Sequence, residues 1–141
     1  METEENKTPD RSLELGSFDS FKVAAFAEYS ETSKSLDKAL PEDPEGLSAL
    51  LSQAEALGSR ISYLLAKAEK HLDKAEAVHL IPKSKDYTDL DRETHLKAAV
   101  AQEGLIRDLL QSCVDSIKTK ISLGQSILAV IRAEIERGLY Q

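Results

Sequence analysis

The chain reads as all-α: a long antiparallel helical hairpin, coiled-coil-like, behind a shorter N-terminal helix and a disordered acidic N-terminus. Three observations predict this. Leu110, Val114, Ile117, Ile121, Gly124, Leu128, Ile131, Ile135 and Gly138 follow at alternating steps of four and three, the a/d spacing of a packed helical seam. An earlier series, Leu47, Leu50, Ala54, Leu57, Ile61, Leu64, Ala68, Leu72, Ala75 and His79, again advances by threes and fours. The third observation is composition: the 141 residues include three Phe, four Tyr and no Trp, so the core must come from aliphatic and small side chains, as helices allow.

Residues 1–16 are polar, charged and closed by Gly16, which predicts a disordered acidic tail. Ser17 is the N-cap of a first helix reaching about Leu40, with Phe18, Phe21, Ala25 and Tyr29 as its apolar face. Pro41-Glu42-Asp43-Pro44-Glu45-Gly46 reads as a breaker and acidic linker. Residues 17–46 thus form one unit, helix plus linker, and residues 47–141 a hairpin domain for oligomerisation.

The second helix is predicted over about Leu47–Leu80, stopped by Ile81-Pro82 because proline removes a donor and biases its predecessor away from helix. After a polar turn, the last helix starts near Thr88 or Asp89, where Asp89, Asp91 and Glu93 suit the positive N-terminal end. It is expected to run to about Arg137 and end at Gly138. Gly104 and Gly124 interrupt it; Gly124 lies on the seam, which predicts a close helix contact there, and either glycine is a candidate bend. With about 50 residues facing about 34, part of the seam lacks a partner in the same chain. That predicts a homo-oligomer whose interface is Leu110, Val114, Ile117, Ile121, Leu128, Ile131 and Ile135.

Charge is unevenly divided. Residues 1–46 carry five Lys or Arg against twelve Asp or Glu, and residues 47–141 carry thirteen of each, so the net charge of −7 lies entirely in the first third. A neutral body behind an acidic arm keeps nucleic acid open as a partner. The basic residues concentrate over 60–85: Arg60, Lys67, Lys70, Lys74, Lys83 and Lys85 against Glu69, Asp73 and Glu76, with Tyr87 beside the turn. Lys67, Lys70 and Lys74 share a stripe of the second helix. Lysines with one aromatic suit phosphate contact and base stacking; a solvated helix face is the plain alternative.

No catalytic set or cofactor motif emerges. The glycines at 58, 104 and 124 are isolated inside helices, and Cys113 beside Val114 reads as a small apolar packing residue. Glu76-Ala77-Val78-His79 matches one Glu-x-x-His pair, of which carboxylate-bridged dimetal sites need two with further carboxylates. A metal-dependent helical enzyme is the remotest reading, and the expectation is no enzyme, no cofactor and no metal. No apolar run approaches the roughly 20 residues that cross a bilayer, and METEENKTPDRS lacks the order of a signal peptide. The expectation is a cytoplasmic protein with no membrane partner, in the host cytoplasm if phage-encoded.

The stretch Asp91-Arg92-Glu93, then Leu109-Leu110-Gln111-Ser112-Cys113, Asp115-Ser116-Ile117-Lys118-Thr119-Lys120 and Ile127 to Arg132 resembles the last helix of the UvsY-type recombination mediators of tailed phages. Leu64-Leu65-Ala66-Lys67-Ala68 lies where that family has its DNA-contacting basic segment, and the resemblance spans about residues 55–137. It implies a ring assembled through C-terminal helices that binds single-stranded DNA. It further implies help to a RecA-like recombinase against single-strand-binding protein. Lys67 and Lys70 would be DNA contacts and the seam from Leu110 to Ile135 the ring contact. The acidic first third departs from a simple DNA binder, which makes residues 1–46 a cover over the basic stripe or a docking arm. The rival expectation is a structural or adaptor module, an inhibitor or assembly factor, that uses the same seam and binds no DNA.

Overall fold

The computed structural model describes residues 15–80 and 88–138, all-α as the two series predict. The described residues form α1 (Phe18–Leu36), α2 (Pro44–His79), α3 (Asp89–Ala99) and α4 (Ala101–Glu136), with no strand among them. Residues 1–14 of the expected tail and the turn over 81–87 lie outside the described residues.

Each start is fixed by a local cap. Ser17 Oγ accepts from the Ser20 N–H at 3.2 Å, as the sequence predicts. The α2 start is a correction: Pro44-Glu45-Gly46 is the first turn of the helix, not a linker. Asp43 is the N-cap, its Oδ2 accepting from the Gly46 N–H at 2.7 Å, and Pro44 stands in the first turn, where its missing N–H costs nothing. A Cβ on Gly46 would lie 2.8 Å from Asp43 Oδ1, so the cap needs the glycine. Thr88 opens α3 with a reciprocal capping box to Asp91.

α1 ends at Leu36, four residues short of the expected Leu40. Lys120, reaching from α4, explains the stop: its Nζ donates to the Leu36 carbonyl at 2.8 Å and the Lys38 carbonyl at 2.6 Å. These are carbonyls that a helix end leaves unpaired, and a cation there complements the helix dipole.

α2 and α4 have 36 residues each and lie antiparallel. Near one end, a Cβ on Gly124 would fall 2.7 Å from Leu51 Cδ2, and in the middle a Cβ on Gly58 would fall 3.3 Å from Ile117 Cγ2. Gly124 is thus a close contact, as the seam predicts. α1 runs antiparallel to α2, with Phe18 and Phe21 at His71 and Glu28 at Arg60. Phe21 and Ala25 join Ile61, Ala68, Ile106, Leu110, Cys113, Val114 and Ile117 in the larger core cluster. A second cluster, Leu47, Leu51, Leu128 and Ile131, is built by α2 and α4 without α1. One end of the molecule is therefore three helices thick and the other two.

The single last helix expected from about Thr88 to Arg137 is broken. Val100, 4 % exposed, sits at φ −110° and ψ 25° between α3 and α4. α3 buries none of its residues, so the break at Val100 divides a fully exposed first segment from the helix that carries the core. Gly104, the candidate bend, lies four residues inside α4 with nothing near its α-carbon. The break also removes the length mismatch between the two long helices.

Candidate nucleic-acid interface

Because α2 is unbroken from Pro44 to His79, residue spacing translates directly into faces. Arg60, Tyr63, Lys67, Lys70 and Lys74 follow at steps of three and four and form one stripe. At roughly 100° per residue, Glu69 and Glu76 point about 100° or more away from that stripe, while Asp73, three residues after Lys70, lies about 60° from it. The helix undoes the interleaving for Glu69 and Glu76 and keeps Asp73 beside Lys70. Tyr63 is the residue that the sequence reading passed over, although its spacing four before Lys67 and Arg60's three before it were available.

The members of the stripe are not equivalent. Arg60 is engaged by α1: its Nε lies 3.0 Å from Glu28 Oε2, a charge contact without hydrogen-bond geometry. The Lys67 ammonium sits 5.6 Å from the Tyr63 ring centroid and 5.9 Å from that of Phe21, a cation–π arrangement that holds it against the α1–α2 junction. Lys70 and Lys74 are exposed, and Tyr63 retains 39 % of its surface. Lys83, Lys85 and Tyr87 lie outside the described residues. The stripe thus offers two exposed ammonium groups, one packed ammonium and one accessible ring.

Beside the stripe, His71 is buried between Phe21, stacked at 4.8 Å, and Phe18, edge-on at 5.5 Å. Its Nε2 has no hydrogen-bond partner. Burial holds its pKa below the ordinary histidine value; Lys67 and Lys74 act in the same direction, while the Leu15 backbone and Glu103 oppose. The side chain follows Lys70 directly in sequence, and α1 covers it.

The predicted oligomer seam also lies elsewhere than expected. Leu110, Val114, Ile117, Leu128 and Ile131 are buried inside the single chain, Ile121 is half-buried between both core clusters, and Ile135 is 47 % exposed. α2 fills the seam along its length and α1 covers its first half. The expected interface is corrected accordingly for all but Ile135: the others pack within the single chain. Cys113 is buried too, and burial pushes its thiol pKa up, away from the thiolate that reactivity requires. Glu76 and His79 stand in the last turn of α2, and among the described residues no three His, Cys, Asp or Glu side chains converge as a metal site would need. Among the same residues no helix is long and apolar enough to cross a membrane.

Comparison with protein-family models, with curated proteins and with solved structures finds no match.

Proposed function

We propose that the chain is a non-enzymatic, homo-oligomeric mediator that binds single-stranded DNA and assists a recombinase in displacing single-strand-binding protein. The observation that carries this reading is the stripe on α2, with Lys70 and Lys74 exposed beside the Lys67–Tyr63 pair. The resemblance of residues 91–132 to phage recombination mediators supports it from the sequence side. Each stripe supplies few phosphate contacts, so affinity requires several copies acting on one strand. The grip is electrostatic, with Tyr63 available for sequence-tolerant base stacking.

Anisotropy of a fluorescent single-stranded oligonucleotide at low and moderate salt tests this. Binding that weakens steeply with salt, prefers single over double strands and drops at least about tenfold in Lys70→Glu/Lys74→Glu is expected. Both lysines are exposed, so the variant leaves the core intact. Absence of binding by the wild-type protein at low salt rejects the proposal. A second reading, a protein adaptor that binds no DNA, is favoured by a specific observation. Leu123 and Val130 on the outer face of α4 are 52 % and 57 % exposed, a surface suited to another helix.

A further inference from the structure

α1 stops at Leu36, beside Lys120 of α4, so the C-terminal third of α4 packs on α2 and on Leu40 of the connector, with no third helix over it. Its outer face carries Thr119, Leu123, Ser126, Val130 and Glu134 at steps of four, three, four and four. This is a second helical stripe, on the side away from the core. Grooves flank it: one of about 840 Å³ against Tyr29 and Ser33 of α1, and one of about 600 Å³ between Leu40 and Ile127, Val130 and Glu134. Ser126 on the stripe and Ser122, Ala129 and Ala133 beside it are small, so a second helix can approach at the shorter end of the usual 8–10 Å spacing.

We infer that this face is the contact with a second copy of the chain, packed antiparallel on a two-fold axis passing near Ser126 and Ile127. The charges decide the occupant and its direction. About that axis Leu123 of each copy meets Val130 of the other. Lys118 meets Glu136 along one edge, and along the other Glu134 faces Lys120, whose ammonium keeps the Leu36 and Lys38 carbonyls. Every such pair occurs twice, as an isologous interface requires. A parallel pairing would set Lys118 against Lys118 and Glu134 against Glu134, which like-charge repulsion disfavours. The last turn of each α4 then lies beside Thr119 and Lys120 of its partner, at the edge of the larger groove. The contact spans about 20 residues of helix, roughly 30 Å. It rests on the homo-oligomeric half of the proposed function, not on DNA binding, and it replaces the core seam as the joining surface.

The full-length protein tests it in two ways. Ser126→Cys lies next to the axis, so a mild oxidant should convert it to a disulfide-linked dimer. Wild type, whose only thiol is the buried Cys113, and Ser59→Cys on α2 should not cross-link. In sedimentation equilibrium, wild type should be dimeric, and Leu123→Glu/Val130→Glu should be monomeric with unchanged helical circular dichroism. Lys118→Glu should weaken the dimer by about tenfold, and adding Glu136→Lys should restore most of it. A wild-type protein that stays monomeric at every concentration overturns both this contact and the homo-oligomer reading. An oligomer that survives the Leu123/Val130 change and does not cross-link at 126 overturns this contact alone.

Discussion

At His71 a titratable ring is packed where a charge is poorly tolerated. Phe21 and Phe18 enclose it, Nε2 lacks a partner, and Lys67 and Lys74 repel the cation. With the folded pKa below the unfolded value near 6.5, the unfolded chain takes up protons more readily. Stability is therefore complete above about pH 7 and falls as pH drops through 6.5 toward the lower folded pKa. Thermal unfolding at pH 7.5 and 5.5 should show this loss, and His71→Phe should make the loss smaller; an equal loss in both proteins would remove His71 as its cause. The glycines of α4 give a second contrast. Gly104 has open space at its α-carbon, so Gly104→Ala should stabilise by about 0.5–1 kcal/mol through helix propensity. At Gly124 a Cβ would press on the buried Leu51, and Gly124→Ala should lose that gain and cost about 1 kcal/mol net. Urea unfolding of the two variants checks the opposite signs.

α1 is the element whose attachment is most specific. It is held at one end by Phe21 against His71 and at the other by Lys120 on the carbonyls of Leu36 and Lys38. Phe21→Ala removes a side chain that is 5 % exposed and should cost about 3 kcal/mol. Because α2 and α4 keep the second cluster without α1, the damage should be local. Limited proteolysis should cut first within residues 18–43, while the fragment containing α2 and α4 persists; uniform digestion would show instead that the three helices melt as one. The α1 docking was only half legible. Phe18, Phe21, Ala25 and Tyr29 mark the apolar face in sequence, but nothing in it points to the lysine 84 residues away that ends the helix. The break at Val100 was not legible at all. No proline or glycine sits there, so nothing in the local sequence marks it.

For the whole molecule, the acidic first third divides differently from the way composition suggests. Phe21 and Ala25 are core, so removing residues 1–46 would strip the bundle and confuse loss of fold with loss of a cover. Residues 1–14 carry five Asp or Glu against two Lys or Arg, a net −3, and can be removed without touching α1. If they compete with DNA for the lysine stripe, their deletion should tighten single-strand binding several-fold at low salt and less at high salt, where screening shortens the reach of charge. An unchanged affinity by anisotropy would dismiss the cover. The same deletion should leave the thermal midpoint unaltered.

The sequence by itself determined the all-α class, the two long helices, the Ser17 cap and the basic stripe. Each follows from chemistry within a few residues: apolar side chains every three or four positions, a hydroxyl ahead of a helix, lysines one turn apart. Only the tertiary structure decided which surfaces are free. The a/d seam from Leu110 to Ile131 looks like an interface in one dimension, but α2, equal to α4 in length, already covers it. The reach of α1 leaves the opposite face of α4 open. His71, next to Lys70 in the chain, is buried because α1 folds over it. Burial is set by where distant segments end, and residue spacing carries no record of that.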